Sequence, residues 1–552
     1  MSFRIGAFAL PLAALTAACT ASPGPSATTP PATTATLAPM TKAAFSEELT
    51  QRTFRYFWDT TDTGRCLAPD RWPSNPFSSI AATGFALTAY GIGAERGYVT
   101  RAEASTRTRD CLRFYWTAPQ GPEAAGNTGY KGFYYHFLKN DDGTRFRNVE
   151  LSTVDTSLFL GGVLFAQSYY DRNDPVEAEI RDLAEKIYTR VDWRWAQRNT
   201  TGTQAENLRN SHGITMGWKP ERGWESHDWV GYNEGMLVYV LALGSPTHAV
   251  DKDAWDKGWA ADLEKDWGTF YGYEHLQFEP LFGHQYSHVW VDFRGIQDEF
   301  MRGKGIDYFE NSRRATLAQR AYGANNPNKW VGYSADIWGW TASDGPGYSE
   351  GKYRVNGTPR SFNGYMARGV SAIRVVDDGT VVPTAAGGSV AFVPEVTIPT
   401  LMAMRTQYGE RLYTRYGFKD AFNPSFTFAD ATSGDGTADP AQGWVANDYL
   451  GIDQGPILTM MENHRSGLVW KVMRKNPHIV RTQAHRLYRR LARSGERRVI
   501  STPCRRKGRR APDNGPTAAC RRSAASASHG AVPPRRRSRR YGRSAPVRPA
   551  RP

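Results

Sequence analysis

Four segments of the sequence combine aromatic residues with acids, amides and histidines in a pattern that suits carbohydrate chemistry. An aromatic ring can stack on the apolar face of a sugar while neighbouring polar groups bind its hydroxyls. The segments are GWKPERGWESHDWVGYNEG (217–235), FGHQYSHVWVDF (282–293), GYSADIWGWTASDGPGY (332–348) and GWVANDYLGIDQG (443–455). Any single tryptophan has an alternative role, since it can simply fill the core beneath a long loop. The four segments together, each with carboxylates, predict a binding site for a saccharide.

Four carboxylates are candidates for acid–base chemistry. Glu234 ends an aromatic segment and directly precedes an apolar helix, and such a setting raises the pKa of a carboxyl group. Each candidate also has a structural alternative. Glu234 could be a carboxylate that stabilises a helix N-terminus, and Asp155 and Asp453 could cap the helices that follow them. Capping explains Asp344 less well, because it lies in a loop rich in Gly, Pro and aromatic residues.

The sequence predicts neither a metal nor another cofactor. His284, His288 and Asp292 are spaced four apart and would form a metal-binding face on one helix. Gly283 and the aromatic neighbours indicate instead a loop that leads into a helix. The GxGxxG and P-loop motifs are absent, so hydride transfer and phosphoryl transfer have no support.

The net charge of +15 belongs to one end of the chain. Residues 481–552 hold 22 of the 69 Lys and Arg residues but only 2 of the 54 Asp and Glu residues. The remaining residues therefore carry 47 basic and 52 acidic side chains and are mildly acidic. A basic groove for phosphates is not expected there, so we predict no nucleic-acid partner.

Both ends of the chain differ from its middle. Residues 1–18 resemble a signal peptide, and residues 15–19 resemble a lipobox, so Cys19 is either lipidated or lies next to an ordinary cleavage site. A Ser/Thr/Pro-rich tether follows at 19–42, and we expect an exported, periplasmic protein that a lipid could anchor to the membrane. Residues 489–552 form an Arg/Pro-rich tail that cannot bury a core. This tail is either a basic arm or, as the composition favours, a product of out-of-frame translation.

Helical patterns dominate residues 43–488, which we predict to be one domain. Buried helices alternate with amphipathic ones, which indicates an inner and an outer ring. The predicted helices are Ala43–Trp58, Ile80–Gly93, Ala102–Phe114, Thr153–Tyr170, Pro175–Val191, Gly235–Gly244, Asp307–Tyr322, Pro394–Tyr408 and Asp453–Glu462. Short extended pieces are expected at Gly132–Phe137 and Val375–Val382. Cys66 and Cys111 are the two cysteines of this region, and the sequence leaves open whether they form a disulfide.

Several of these segments, in order, resemble the glycoamylase-like domain family, which includes glycoside hydrolase family 144. The matching stretches are ELSTVDT (150–156), WVGYNEG (229–235), HVWVDFRG (288–295), WGWTASDGPGY (338–348) and GIDQGPILTMMENHRSGLVW (451–470). The resemblance implies an all-α (α/α)6 toroid with long aromatic loops and minor β-hairpins. It also implies a monomeric hydrolase of β-1,2-glucans with an inverting mechanism. The alternatives are a glycosyltransferase on the same glucans and a glycan-binding lipoprotein without turnover.

The resemblance assigns roles to particular residues. An inverting glycosidase needs one carboxylic acid to protonate the leaving oxygen and one carboxylate to activate water. Glu234 is the expected acid, and the base is expected among Asp155, Asp344 and Asp453. The residues expected to bind the oligo- or polysaccharide substrate are Glu150, Trp229, Tyr232, Asn233, His288, Trp290, Asp292, Arg294, Trp338, Trp340, Tyr348, Trp444 and Gln454.

Overall fold

The computed structural model of the chain describes residues 37–197, 212–428 and 434–484. The predictions for the signal peptide, for Cys19, for most of the tether and for the tail at 489–552 lie outside these residues. The described residues form a mainly helical structure with short sheets, as the sequence predicts. None of their helices combines the length and the apolar character needed to cross a membrane.

The helices follow the predicted order, with ends that shift by a few residues. The α-helices of the described residues are α1 (Lys42–Thr60), α2 (Ile80–Glu95), α3 (Arg101–Thr117), α4 (Thr153–Tyr169), α5 (Pro175–Thr189), α6 (Trp193–Ala196), α7 (Met236–Gly244), α8 (Leu263–Asp266), α9 (Phe282–Trp290), α10 (Glu299–Lys304), α11 (Tyr308–Asn325), α12 (Pro383–Gly387), α13 (Pro394–Leu412), α14 (Gly451–Arg465), α15 (Leu468–Met473) and α16 (Pro477–Ala484). A π-helix lies at Ala254–Trp259. The regular part of α13 ends near the predicted Tyr408, because Gly409 takes a positive φ of 52°.

Six helices, α2, α4, α7, α9, α12 and α14, are buried over most or all of their length. Close approach of α2 and α4 requires two glycines. A Cβ on Gly84 would lie 2.3 Å from the carbonyl oxygen of Leu158, and one on Gly162 would lie 2.1 Å from the carbonyl oxygen of Gly84. Each of the pairs α2–α4, α4–α7, α7–α9, α12–α14 and α14–α2 is in contact. Gln285 on α9 joins α12 through hydrogen bonds to the Ala385 carbonyl (2.9 Å) and the Ser389 hydroxyl (2.7 Å).

Amphipathic helices alternate with these buried ones along the chain, as predicted. Among them, α3 and α5 begin with strong caps. Thr100 and Glu103 form a reciprocal capping box at the start of α3. Asp174 accepts hydrogen bonds from the backbone N–H groups of Val176 and Glu177 at the start of α5. These helices bury one stripe of side chains and leave the opposite stripe in solvent.

The strands are short, and their paired ladders are antiparallel. In chain order they are β1 (Arg71–Trp72), β2 (Ser78–Ser79), β3 (Gly129–Tyr130), β4 (Phe133–Tyr135), β5 (Phe137–Leu138), β6 (Leu151–Ser152), β7 (Gly217–Lys219), β8 (Gly223–Trp224), β9 (Trp267–Phe270), β10 (Tyr273–Leu276), β11 (Ala342–Ser343), β12 (Ser349–Val355), β13 (Thr358–Phe362), β14 (Met366–Ala367), β15 (Gly369–Val370), β16 (Val375–Val376), β17 (Tyr413–Thr414), β18 (Gly417–Phe418), β19 (Phe422–Asn423), β20 (Gly436–Asp439), β21 (Gly443–Ala446) and β22 (Tyr449–Leu450). The largest sheet has the order β3-β4-β6-β7-β8 and leads directly into α4. The extended piece predicted at Val375–Val382 was wrong beyond β16, because Asp377 accepts a hydrogen bond from the N–H of Gly379 and turns the chain.

Cys66 and Cys111 form a disulfide in the core, with their Cα atoms 4.9 Å apart. The bond closes a loop across a sequence separation of 45 residues. Replacing both residues with serine should lower the free energy of unfolding by about 2–4 kcal/mol, because the unfolded chain regains the entropy of that loop. Denaturant unfolding of the oxidised wild type and of the double variant measures this loss. A reductant should lower the midpoint of the wild type only, and equal unfolding free energies would contradict the prediction.

Candidate active site

Three of the four predicted carboxylates lie at the N-terminal ends of buried helices. Asp155 is in the first turn of α4, Asp453 is in the first turn of α14, and Glu234 lies two residues before α7. Asp344 directly follows β11. The fold thus places Asp155, Glu234 and Asp453 where the chain enters buried helices.

Glu234 has the environment of a proton donor. Its side chain is only partly exposed, and its carbonyl oxygen accepts a hydrogen bond from the hydroxyl of Ser287 (3.2 Å). Burial raises the pKa of Glu234 to about 7; its own backbone N–H opposes this shift, and the negative charge of Asp155 adds to it. The N-cap position of α7 is occupied by Gly235 and not by Glu234. A carboxyl group with such a pKa still holds its proton in part at neutral pH.

Asp155 belongs to a charged triad with His136 and Glu150. One imidazole nitrogen of His136 lies 2.7 Å from Glu150 Oε1, and the other lies 3.5 Å from Asp155 Oδ2. The hydroxyl of Ser152 donates to Asp155 Oδ2 (2.5 Å) and accepts from the backbone N–H of Asp155. Ser152 is therefore the N-cap of α4, so the capping role considered for Asp155 was wrong. The carboxylate of Asp155 instead faces a cation.

The charges of this triad reinforce one another. Burial acts to lower the pKa of His136, but the charges of Asp155 and Glu150 outweigh it and raise this pKa to about 9. Burial acts to raise the pKa of Glu150, but His136 lowers it to about 2. Burial raises the pKa of Asp155, although His136 and Ser152 oppose this shift. An imidazolium between two carboxylates thus stabilises both anions at neutral pH.

Replacing His136 with glutamine should remove part of the pH dependence of stability. The pKa of His136 is higher in the folded than in the unfolded protein, so its contribution is complete below about pH 6.5 and is lost as the pH rises through about 9. Between pH 6 and 10, the wild type should lose up to roughly 3 kcal/mol more unfolding free energy than His136→Gln. Denaturant unfolding across this pH range measures the difference. The control His227→Gln, at an exposed histidine, should retain the wild-type profile, and parallel profiles for wild type and His136→Gln would refute this role.

A second group of carboxylates surrounds Arg71. Its guanidinium lies 3.0 Å from Asp344 Oδ2, 3.5 Å from Asp70 Oδ2, and within 4.0 Å of both Asp435 and Asp448. Burial and the charge of Asp420 raise the pKa of Asp344 to about 8, although Arg71 opposes the shift. No sequence pattern singles out Arg71, because it is 273 residues away from Asp344 in the chain.

Asp453 lies beside this group and makes no capping hydrogen bond to α14, so its predicted alternative as a cap was wrong. Burial raises the pKa of Asp453 to about 7; a hydrogen bond from Asp420 opposes the shift, and the charges of Asp344 and Asp70 add to it. Its side chain therefore changes protonation near neutral pH.

Two tyrosines that the sequence analysis missed connect the carboxylates. Burial raises the pKa of Tyr286, and the charges of Asp453, Glu234 and Asp155 contribute to the shift, so all three lie near its hydroxyl. Burial and the charges of Asp70 and Asp453 raise the pKa of the Tyr365 hydroxyl in the same way. Nevertheless, 57% of the surface of Tyr365 is exposed. Tyr365 is therefore a ring that lies close to the carboxylates and is open to solvent. No motif marks it, because it lies in an ordinary turn between β13 and β14.

Several residues predicted to bind substrate are sealed in the core instead. The residues His288, Trp290, Trp338, Trp340 and Trp444 have no exposed surface. The indole N–H groups of Trp290, Trp338 and Trp340 donate to Thr88, Thr400 and Tyr333. His288 pairs with Ser312, and Trp444 packs so closely that a Cβ on Gly436 would lie 2.2 Å from its ring. These five side chains stabilise the fold and present no surface to a ligand, so this part of the prediction was wrong.

The other eight predicted binding residues differ in their surroundings. Asp292 forms ion pairs with Arg294 and Arg474, and the Arg294 guanidinium stacks over Trp470 at 4.6 Å, so these groups serve the packing of the chain. Four more are buried and hydrogen-bonded: Trp229, Tyr232, Asn233 and Gln454. Of these, Trp229, Tyr232 and Asn233 shape the loop that carries Glu234. Glu150 is held by His136, and Tyr348 is 76% exposed. Tyr348 therefore remains available to a ligand.

His284 and His288 both lie on α9, so the loop predicted there was wrong. The imidazole of His284 is hydrogen-bonded to the Tyr232 hydroxyl at 2.9 Å, and Asp292 lies beyond the end of the helix. In the part of the chain that the structure describes, no group of three or more His, Cys, Asp or Glu residues is arranged to hold a metal ion.

Buried helices with carboxylates at their N-terminal ends define a mainly helical protein built around an acidic site. Residues 226–477 match the Glycoamylase family, described as "putative glucoamylase". The match covers slightly less than half of the chain, which is similar to this family over that part.

One curated relative is an exo beta-1,2-glucooligosaccharide sophorohydrolase (non-reducing end) from Parabacteroides distasonis. It is 27% identical over 477 residues, which cover 80% of this chain and 58% of the relative, so this chain spans little more than half of that protein. A "putative glucoamylase" structure from Bacteroides uniformis has a TM-score of 0.67 and 28% identity over 82% of this chain and 98% of its own. An endo-beta-1,2-glucanase structure from Chitinophaga pinensis, in complex with sophorotriose and glucose, has a TM-score of 0.66 and 25% identity over 82% of this chain and 99% of its own.

Proposed function

We propose that this protein is a glycoside hydrolase that cleaves β-1,2-linked glucans by a single displacement with inversion. The observation that carries the proposal is the carboxyl group of Glu234, which has a pKa of about 7 and lies next to a second, charged carboxylate. The substrates in the names of the sophorohydrolase and the glucanase support the choice of linkage. The mainly helical fold supports it as well, because the six buried helices of the described residues fit our proposal of an (α/α)6 toroid.

Glu234 is the general acid in this proposal. A glycosidic oxygen is a poor leaving group unless it is protonated as the bond breaks, and Glu234 supplies that proton. Asp155 is a positioning residue, since its negative charge keeps the proton on Glu234. His136 and Ser152 in turn stabilise the anion of Asp155.

Asp453 is the general base in this proposal. The base must act on water from the opposite face of the sugar ring, at a carboxyl separation of about 6.5–9.5 Å from the acid. The charges of Asp453 and Glu234 both raise the pKa of Tyr286. The carboxylate whose charge raises the pKa of Glu234, however, is Asp155. Asp453 therefore fits the far side of the site. Asp344 is less suited, because one of its oxygens pairs with Arg71 and the other is sealed from solvent.

The test is to incubate the full-length protein with linear β-1,2-glucan and to follow new reducing ends and product sizes. The proposal predicts short β-1,2-linked oligosaccharides and no release from β-1,3-, β-1,4- or α-1,4-linked glucans. Chain rearrangement without new reducing ends would indicate a transferase, and binding without any product would indicate a glycan-binding protein. Either outcome would reject hydrolysis.

A further inference from the structure

Asp420 and Asp453 bring two sealed carboxylate oxygens together. Asp420 is 1% exposed and Asp453 is 3% exposed. Oδ1 of Asp420 and Oδ2 of Asp453 are both buried, and neither accepts a hydrogen bond from an N–H or hydroxyl group. A hydrogen bond joins the two side chains, and such a bond between carboxyl groups requires one proton. The pair therefore cannot be fully ionised.

The surroundings place that proton on Asp420. Its other oxygen, Oδ2, accepts a hydrogen bond from the backbone N–H of Asp344 (2.7 Å), which fixes the orientation of the carboxyl group but by itself favours the anion. Burial raises the pKa of Asp420 well above the ordinary value, and the charge of Asp453 adds to the shift. The ionisable groups that act on the pair are Tyr56, Asp70, Arg71, Asp344, Tyr286, Tyr365 and Arg368. The guanidinium of Arg71 pairs with Asp344, and that of Arg368 pairs with Asp378, so neither neutralises Asp420.

We propose that Asp420 is a positioning residue that stays protonated and donates a hydrogen bond to Asp453, which holds the Asp453 carboxylate in place to activate water. This inference rests on the proposed hydrolysis and adds a residue that touches neither the sugar nor the water. The proton that water gives up goes to Asp453, while Asp420 keeps its own proton throughout. Asp420 thereby spares Asp453 the cost of an unpaired buried oxygen.

Two substitutions at Asp420 distinguish this role from the alternatives. In Asp420→Asn, the amide oxygen can still accept from the N–H of Asp344, and the amide N–H can still donate to Asp453. We expect this variant to keep turnover within about tenfold of the wild type and to keep the acidic limb of its pH–rate profile, because the hydrogen bond to the base persists. Asp420→Ala removes the donor, so turnover should fall by about 10²-fold while KM changes little. The control Asp298→Asn alters a buried aspartate that accepts from Trp255 and caps α10, and it should leave turnover and the profile unchanged.

The outcomes separate this inference from the proposed function. If the wild type releases no sugar, the proposed function fails first. If the wild type is active and Asp420→Asn is as defective as Asp420→Ala, Asp420 must ionise, and the inference is overturned. Full activity of both variants would overturn it as well. Infrared difference spectra of wild type minus Asp420→Asn at pH 8 provide a readout that does not depend on activity: the band of a protonated carboxylic acid should be present, and its absence would contradict the inference.

Discussion

Glu234→Gln should fold normally and lose nearly all hydrolysis, with turnover reduced by about 10²–10⁴-fold, because the amide keeps the size and hydrogen bonding of the side chain but cannot release a proton. The variant should still bind β-1,2-gluco-oligosaccharides. Turnover of the glucan, the thermal melting curve and the oligosaccharide dissociation constant would be measured on the same preparations.

A matched control separates catalysis from helix stabilisation. Glu395 is an exposed carboxylate in the first turn of α13. Glu395→Gln should cost only about 0.3–1 kcal/mol of stability and should leave turnover unchanged, because it removes only the interaction with the helix dipole. If Glu234→Gln behaved like this control, Glu234 would be a structural carboxylate and the proposed acid would be wrong.

Asp453→Asn should have the second large effect, a loss of about 10²–10⁴-fold in turnover through removal of the group that accepts the proton of water. The acidic limb of the pH–rate profile, which reports ionisation of the base near pH 7, should disappear with it. Complete pH–rate profiles of wild type and variant measure both effects.

Asp155→Asn is the informative comparison for this prediction. It removes the negative charge that raises the pKa of Glu234, so the alkaline limb of the profile should move to lower pH while the acidic limb stays. If the profile of Asp155→Asn lost its acidic limb and the profile of Asp453→Asn kept it, water activation would belong to Asp155. That result would contradict our assignment.

The local patterns of the sequence were sufficient for nine of the helices and for the positions of Glu234, Asp155 and Asp453, but not for α9, where a loop was predicted. Apolar runs such as that of α4 are long and uninterrupted, and the carboxylates lie next to their starts. Residues close together in the sequence therefore suffice to predict both the helices and the positions of the carboxylates. Tryptophans were harder to interpret. Trp338 and Trp340 lie in a loop that looks suited to sugars, but a ring that fills the core and a ring that stacks on a ligand need the same flat apolar surface.

Residues that act across the fold could not be predicted. Arg71, His136 and Asp420 come from separate segments without a recognisable motif, and only the folded chain brings them to the carboxylates. Tyr365 carries no signal in sequence either, because an exposed tyrosine in a turn is unremarkable until its neighbours are known. Long-range charge pairing, and not local periodicity, decides the electrostatics of this site.

The anomeric form of the first product tests the central claim most directly. Proton NMR during hydrolysis of linear β-1,2-glucan by the full-length protein resolves the α and β anomers of the new reducing end before they equilibrate. A single displacement by water, assisted by Glu234 and Asp453, predicts that the α anomer appears first and that the β anomer grows in only by mutarotation. Initial release of the β anomer would require a double displacement with a carboxylate nucleophile and would contradict the account.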